Sequence, residues 1–173
     1  MRKALFLDRD GVVNKEKNYL YRVDDFEFIE GVFETCKYFQ NIGYVIVVIT
    51  NQAGIAKGIY TKESYTTLTH WMLKEFSNNG VEIQAVYYCP HHPDFGPECE
   101  CRKPSPKMIL NAQDDIGIDL SGSILVGDKN TDIEAGINAG VLKNYLVSTG
   151  HQIEKNKFNV PILKNLTDLI GVY

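Results

Sequence analysis

Residues 5–14 read Leu-Phe-Leu-Asp-Arg-Asp-Gly-Val-Val-Asn, an apolar run that stops abruptly at two carboxylates. Because an unpaired buried charge costs several kcal/mol, Asp8 and Asp10 cannot both be ordinary core residues. Residues i and i+2 of an extended strand face the same way, so the two side chains can converge on one metal ion or one reacting atom. Gly11 lets the chain turn sharply beside them. The segment predicts a buried strand that ends at a site for phosphate chemistry.

Two other interpretations of this aspartate pair stay open on the motif alone. A calcium loop needs oxygen ligands at positions 1, 3 and 5, but Val12 occupies position 5 and no helical pattern precedes the motif. A plain turn would let both carboxylates accept hydrogen bonds from local backbone N–H groups. Signals elsewhere in the chain must therefore decide between them.

Length and composition exclude several classes of protein. The 173 residues suit one domain with a substantial core, and the net charge of −4 comes without any block of like charge. We therefore expect no nucleic-acid or membrane partner. The longest apolar stretch, residues 44–49, is too short to span a bilayer, and the N-terminal apolar run stops at Asp8, short of a signal peptide. A cytoplasmic monomer is the expectation.

Buried strand patterns alternate with helical patterns along the chain. Strands are predicted at residues 3–8, 44–49, 81–89, 123–127 and 141–148, and helices at 31–41, 61–78, 105–116 and 131–138. A short edge strand and a terminal helix are expected within residues 163–170. This alternation predicts a doubly wound, three-layer α/β sandwich with a central parallel sheet. No connection is long enough for a large cap domain, so we expect one domain over residues 1–173.

Polar signatures follow the predicted strands at their carboxyl ends, where open parallel sheets bind ligands. Asp8 and Asp10 follow the first strand, residues 50–52 (Thr-Asn-Gln) the second, and residues 128–129 (Asp-Lys) the fourth. Residues 102–104 (Arg-Lys-Pro) precede a predicted helix, where positive charge opposes the helix dipole and so indicates a bound anion. These segments should meet at one rim, where carboxylates could hold a Mg2+ ion beside a phosphate.

Each of these signatures also has an ordinary structural interpretation. Thr50 and Asn51 could cap the following helix, and the basic residues at 102–103 could be solvated surface charges. Asp132, one helical turn after Asp128, could be a helix N-terminal acid or the partner of a metal ligand rather than a ligand itself.

Three of the four cysteines cluster near two histidines, in a loop spanning residues 89–101. Three thiolates and one imidazole make a tetrahedral set that closes a structural zinc site. Adjacent Cys-x-Cys geometry and the expected cytoplasmic setting argue against disulfides. Cys36 is expected in the core, and His70 and His151, without companions, are expected to be structural or exposed. The predicted zinc ligands are Cys89, His91 or His92, Cys99 and Cys101.

The four polar signatures, in this order, resemble the motifs of the haloacid dehalogenase superfamily of phosphatases, over about residues 3–148. The matching positions are Asp8-x-Asp10-Gly-Val, Thr50, Lys103 and Gly-Asp128-x-x-x-Asp132. The resemblance implies that Asp8 is the nucleophile and forms an aspartyl-phosphate, and that Asp10 is the general acid and base. Thr50 and Lys103 would stabilise the phosphoryl group. Mg2+ would be held by Asp8, the carbonyl of Asp10, and Asp128.

The cysteine loop resembles two related groups of that superfamily, heptose-bisphosphate phosphatases and histidinol-phosphate phosphatases, and this favours His91 as the ligand. Ala53, followed by Gly-Ile-Ala and Lys57, is similar to the heptose group, because the histidinol group shows an acid at the position of Ala53. The implied reaction removes the 7-phosphate of D-glycero-D-manno-heptose 1,7-bisphosphate in nucleotide-activated heptose synthesis, with histidinol phosphate as the alternative substrate. The implied substrate contacts are Glu16, Lys17, Asn18, Tyr19, Asn51, Gln52, Ala53, Arg102 and Lys129.

Two further classes remain to be distinguished from a phosphatase. A catalytically silent zinc module that binds phosphorylated partners would explain the cysteine loop, although every catalytic position is retained. A sugar phosphomutase would share Asp8 but would need a cap to exclude water, and the chain has no room for one.

Overall fold

A computed structural model describes all 173 residues of the chain. Its centre is one six-stranded sheet with the order β3-β2-β1-β4-β5-β6, and every neighbouring pair of strands is parallel. The strands are β1 Lys3–Leu7, β2 Tyr44–Asn51, β3 Ile83–Cys89, β4 Ile124–Gly127, β5 Lys143–Val147 and β6 Ile162–Leu163. The predicted doubly wound parallel sheet is confirmed.

Four helices cover the sheet and no inserted domain interrupts the alternation. They are α1 Val32–Asn41, α2 Lys62–Asn78, α3 Lys107–Ile116 and α4 Asn130–Ala139. The predicted terminal helix is only a 3-10 turn, Leu166–Leu169, which Asp168 closes by accepting hydrogen bonds from the N–H groups of Lys164 and Asn165. None of the helices has the length and apolar character needed to cross a lipid bilayer.

The two faces of the sheet build separate apolar cores. Leu5 and Leu7 of β1 point toward the side covered by α1 and α2, whereas Ala4 and Phe6 point toward the side covered by α3 and α4. All four residues are fully buried, and each large apolar side chain buried in this way contributes about 1.5–3 kcal/mol to folding. Burial on both faces explains why the strand sequences are continuously apolar rather than alternating.

The chain reverses its winding direction at β1. From β1 it moves outward to β2 and β3, then crosses back to place β4 on the other side of β1. Leu7 is in register with Val126, and the N–H of Asp8 donates to the carbonyl of Val126 at 3.1 Å. The residues that leave β1 and β4 therefore lie side by side at the switch point, where such sheets bind their ligands.

Candidate active site

Asp8 leaves β1 beside a buried lysine. The Nζ of Lys103 lies 2.9 Å from Oδ1 of Asp8 and 2.7 Å from Oδ1 of Asp132, and donates to the carbonyl of Ile49 at 2.9 Å. Burial by itself lowers the pKa of this ammonium, but the charges of Asp132 and Asp8 outweigh it, so the pKa of Lys103 is raised. Lys103 therefore stays protonated and forms ion pairs with both carboxylates.

Asp8, Asp128 and Asp132 form a carboxylate cluster, with one oxygen of each within 4.8 Å of the others. Burial, followed by the charge of Asp132, holds the pKa of Asp8 well above its usual value, although Lys103 opposes the shift. Burial and Asp132 likewise raise the pKa of Asp128 to about 6. With all three carboxylates ionised and one ammonium beside them, the cluster carries a net negative charge.

One oxygen of this cluster has no partner. Oδ1 of Asp128 is buried and makes no hydrogen bond, whereas both oxygens of Asp132 are engaged. Oδ2 of Asp132 accepts from the backbone N–H groups of Asp128 and Lys129 at the start of α4. An unpaired carboxylate oxygen beside Asp8 fits a hard divalent cation such as Mg2+. Asp132 supports the cluster rather than offering it a free oxygen.

Asp10 turns its side chain away from the cluster. Oδ1 of Asp10 accepts hydrogen bonds from Arg9 Nη2 at 2.8 Å and Asn14 Nδ2 at 3.0 Å, and Oδ2 accepts from Gln52 Nε2 at 3.1 Å. Burial opposes ionisation, but the charge and hydrogen bond of Arg9, with those of Asn14 and Gln52, hold the pKa of Asp10 below its usual value. Asp10 is therefore a fixed and ionised carboxylate.

Arg9 is a buried partner of Asp10 that the sequence interpretation missed. Its side chain is only 2% exposed, and Nη2 also donates to the carbonyl of Leu20 at 3.0 Å. Arg9 thereby ties Asp10 to the loop that follows β1. Its position between two aspartates was a usable signal, because an arginine enclosed by a buried motif must have partners.

Gln52 connects Asp10 to the end of β2. Its Nε2 donates to Thr50 Oγ1 at 2.8 Å as well as to Asp10, and its Oε1 accepts from the hydroxyl of Tyr60 at 2.5 Å. Thr50 is 1% exposed and Gln52 2% exposed, so this network is buried behind the site. Gln52, a predicted substrate contact, lines the cavity and also holds Asp10 by a hydrogen bond.

The thiols of Cys89, Cys99 and Cys101 and the imidazole of His91 form a Cys/His cluster, whose ligand atoms lie within 4.8 Å of one another. Nδ1 of His91 lies 3.2 Å from the sulfur of Cys101, and the sulfurs of Cys89 and Cys99 are 3.7 Å apart. No disulfide is present. His92 accepts a hydrogen bond from the N–H of Asp94, and His91 is the histidine whose ring lies with the three thiols.

Asn51 joins the Cys/His loop to β2. Its side chain donates to the carbonyl of Lys103 at 3.2 Å and accepts from the N–H of Lys103 at 3.0 Å. Nη1 of Arg102 donates to the carbonyl of His91 at 3.3 Å. The loop that holds the Cys/His cluster therefore sets the backbone position from which Lys103 reaches Asp8.

A polar cavity of about 470 Å3 opens above Asp8 and Asp10. It is lined by the catalytic candidates Asp8, Asp10 and Lys103, and by most of the predicted substrate contacts: Glu16, Asn18, Tyr19, Asn51, Gln52, Ala53, Arg102 and Lys129. Lys17 lies outside the lining, because its Nζ pairs with Glu27 at 2.5 Å. Thr50 and Asp128 are buried behind the wall. Lys57, whose role the sequence left open, also lines it, as do three residues that sequence reasoning did not assign to the cavity: Tyr60, His92 and His151.

Lys57 bridges two loops at the rim of this cavity. Its Nζ donates to the hydroxyl of Tyr19 at 2.5 Å and lies 5.5 Å from the ring centre of Phe95, in the Cys/His loop. Asn18 and Tyr19 both have positive φ angles, 50° and 67°, which non-glycine residues seldom adopt. Glu16 supports this backbone by accepting the N–H of Asn18 at 2.6 Å. Strain of this kind is often kept at ligand sites.

The three remaining expectations had different outcomes. Cys36 is fully buried and His70 is exposed, as predicted. The expectation that His151 lacks companions is wrong, because its ring contacts Asp128 and lines the cavity. The contact joins residues 23 positions apart, and no local pattern near His151 announces it.

Together, the switch-point fold and the buried Asp8, Lys103 and Asp132 at the floor of a polar cavity define a haloacid dehalogenase-like hydrolase. A family model described as HAD-hydrolase-like matches residues 100–169, the stretch that carries Lys103, Asp128 and Asp132.

Named relatives narrow this class further. The D-glycero-alpha-D-manno-heptose-1,7-bisphosphate 7-phosphatase of Photorhabdus laumondii is 46% identical over 95% of this chain and 92% of its own. The D-glycero-beta-D-manno-heptose-1,7-bisphosphate 7-phosphatase of Vibrio cholerae is 48% identical over 87% of this chain and 83% of its own. The crystal structure of D,D-heptose 1,7-bisphosphate phosphatase from B. bronchiseptica, complexed with magnesium and phosphate, has a TM-score of 0.87 at 28% identity, covering 99% of each chain. The chain belongs to the family of D-glycero-D-manno-heptose-1,7-bisphosphate 7-phosphatases, which are phosphoric monoester hydrolases.

Proposed function

We propose that this protein is a Mg2+-dependent phosphatase that removes the 7-phosphate of D-glycero-D-manno-heptose 1,7-bisphosphate through an aspartyl-phosphate on Asp8. The observation that carries the proposal is the buried ion pair of Lys103 with Asp8, at the floor of a polar cavity. The relatives named above are phosphatases of that substrate, in both anomeric forms. We further propose that the chain acts as one domain and as a cytoplasmic monomer.

In the first step, the carboxylate of Asp8 attacks phosphorus and the bond between phosphorus and the sugar oxygen breaks. Lys103 holds Asp8 in place, and its charge offsets the negative charge of the transferring group. A Mg2+ ion at Asp8, the carbonyl of Asp10 and Asp128 would neutralise phosphate oxygens and keep the carboxylates ionised. Thr50, hydrogen-bonded to Gln52, would stabilise the same phosphoryl group.

Asp10 handles the protons of both steps. Ionised Asp10 is suited to take a proton from the water that hydrolyses the aspartyl-phosphate. Earlier, it must give a proton to the leaving sugar oxygen, although Arg9 keeps its pKa low in the protein by itself. The negative charge of an arriving phosphate raises the pKa of Asp10, because like charges disfavour ionisation. Substrate binding therefore prepares Asp10 as an acid.

The charges at the rim favour a second anionic group on the substrate. Lys57, Arg102 and Lys129 line the cavity and could hold the phosphate that is not removed. Histidinol phosphate would instead bring an ammonium group. Ala53 offers this ammonium no charge partner, and Lys57, Arg102 and Lys129 at the rim would repel it. The cavity therefore supports the heptose substrate over the histidinol alternative.

We propose a structural zinc ion at the Cys/His cluster. The four ligand atoms all lie within 4.8 Å of one another, and three thiols with one imidazole are a ligand set that zinc binds tetrahedrally. The cluster offers three thiols and one imidazole and no open position for substrate. Because Lys103 follows Cys101 by two residues, zinc would fix the segment that carries the catalytic ammonium.

Phosphate-release assays with a panel of substrates test the proposed function. The panel contains both anomers of the heptose bisphosphate, histidinol phosphate and fructose 1,6-bisphosphate. We expect the heptose bisphosphate to give the highest kcat/KM. A preference of about tenfold or more for histidinol phosphate would overturn the substrate assignment. Binding of phosphorylated sugars without any Mg2+-dependent phosphate release would indicate a catalytically silent binding module. Transfer of phosphate between positions of the sugar would indicate a mutase.

A further inference from the structure

The loop that follows β5 crosses the site and places His151 against Asp128. Both the backbone N–H and Nδ1 of His151 contact Oδ2 of Asp128, at 2.7 and 2.6 Å. Because an ionised carboxylate only accepts hydrogen bonds, Nδ1 carries the proton of the imidazole. Two donors on one oxygen leave Oδ1 of Asp128 as the buried oxygen without a hydrogen-bond partner.

The carboxylate of Asp128 packs closely against two glycines, at positions where a larger residue would collide with it. A Cβ atom added to Gly150 would lie 2.2 Å from Oδ2 of Asp128, and one added to Gly11 would lie 2.3 Å from the same oxygen. The hydroxyl of Thr149 donates to the carbonyl of Gly11 at 2.8 Å and so pins the β5 loop onto the loop after β1. Asp128 is thus enclosed between two loops, with Oδ2 held from one side.

His151 also reaches the wall of the cavity. Its Nε2 lies 3.9 Å from Oε2 of Glu16, whose other oxygen holds the backbone of Asn18. The imidazole therefore stands between a carboxylate of the cluster and a loop that lines the cavity. Nothing in the phosphatase chemistry described above uses this ring.

We infer that His151 is a positioning residue that locks Oδ2 of Asp128 through Nδ1 and so presents Oδ1 to Mg2+. The inference rests on the Mg2+ site of the proposed function. Without the ring, only the backbone N–H of His151 and the two glycines would restrain the carboxylate, which could then rotate. Groups that orient metal ligands in this way typically change metal affinity about 10–100-fold when removed.

Substitutions that keep one ring position at a time make this inference testable. The amide nitrogen of asparagine falls near the place of Nδ1, whereas that of glutamine falls near Nε2. Calorimetric titration with Mg2+, without substrate, should show about tenfold weaker binding for His151→Ala and His151→Gln. His151→Asn should bind within about threefold of the unaltered protein, since it retains the critical donor. The exposed His70→Ala provides the matched control and should change nothing.

Activity measurements separate positioning from a general structural effect. For His151→Ala we expect the Mg2+ concentration that gives half-maximal activity to rise about tenfold, with kcat recovered at saturating Mg2+. The thermal midpoint without Mg2+ should match that of the unaltered protein.

The titration also distinguishes the two proposals, because it contains no sugar phosphate. If the substrate assignment were wrong, the differences in Mg2+ affinity between the variants would still be observed, and only the phosphate-release assay would contradict the proposed function. Equal Mg2+ affinity in the unaltered protein and His151→Ala, or equal weakening in His151→Asn and His151→Ala, would overturn the positioning role. If the unaltered protein bound no Mg2+, both this inference and the metal part of the proposed function would fall.

Discussion

The carboxylate cluster and the Cys/His cluster are both candidate metal sites, but they are built in opposite ways. The Cys/His cluster takes all its ligands from residues 89–101, a single loop. The carboxylate cluster draws on the ends of β1 and β4 and on α4, with Lys103 arriving from outside. A local site can form wherever its loop closes, whereas an assembled site requires the whole sheet.

The two sites are nevertheless joined. Lys103 follows the Cys/His cluster directly and is clamped to Asn51 before it reaches Asp8. The local site therefore acts as a brace for one member of the assembled site. Four predictions test how far this division of labour extends, and they run from the largest expected effect to the smallest.

Removing the nucleophile should have the largest effect. Asp8→Asn should lower kcat by at least about a thousandfold, because an amide cannot form the aspartyl-phosphate. Phosphate release under saturating Mg2+ is the measurement. Zinc content, determined by elemental analysis, should remain about one per chain, as four ligands predict. Substantial turnover in Asp8→Asn would contradict the proposed chemistry.

Replacing the buried ammonium should cost stability as well as activity. Lys103→Met leaves Asp8 and Asp132 buried without their cation, which should lower the free energy of unfolding by about 3–5 kcal/mol. Urea denaturation is the measurement. Lys129→Met, at an exposed position, is the matched control and should change stability little. A loss in Lys103→Met no larger than in the control would show that the ion pairs do not stabilise the fold.

Removing one ligand of the Cys/His cluster should affect the carboxylate cluster only by weakening the support of Lys103. Cys99→Ser should lose zinc and reduce kcat by about tenfold, since Lys103 would be held less firmly. The Mg2+ affinity should stay close to that of the unaltered protein, because no Mg2+ ligand lies in that loop. Unchanged kcat in zinc-free Cys99→Ser would mean that the two sites are independent.

The smallest expected effect concerns Cys36, the cysteine outside the Cys/His cluster, and the dependence of stability on pH. Burial raises the pKa of Cys36 to about 12, above the ordinary 9.0 of the thiol. Since the folded protein resists forming this thiolate, its stabilising contribution is complete below pH 9 and is lost as the pH rises toward 12. By pH 10 the loss should be about 1.4 kcal/mol. Because all other groups titrate in both proteins, denaturation at several pH values should show this loss as a fall in the stability of the unaltered protein relative to Cys36→Val.

The fold was largely readable because its signals are local. Continuous apolar runs such as residues 44–49 predicted buried parallel strands, here the core of β2, and the alternation with helices predicted the winding. The Cys/His cluster was equally readable from spacing. The terminal helix was overestimated, since the sequence around Leu166–Leu169 closes on itself after one 3-10 turn.

The site was only partly readable. Motif positions marked Asp8, Lys103 and Asp128, but the placement of His151 on Asp128 has no local signature. This contact depends on a loop that returns from elsewhere in the chain. Conversely, Lys17 was predicted from the sequence as a substrate contact but lies outside the cavity lining, because its ammonium pairs with Glu27.

The sequence by itself determined the class of fold, the three cysteines that cluster in one loop and the acids available for phosphate chemistry. Apolar periodicity and ligand spacing act over a few residues, so they survive in the sequence alone. The tertiary structure decided which oxygen each acid presents, how Arg9 and Lys103 compensate buried charge, and that His151 holds Asp128. Such choices depend on burial and on contacts between distant segments, and these exist only once the sheet has brought its strand ends together.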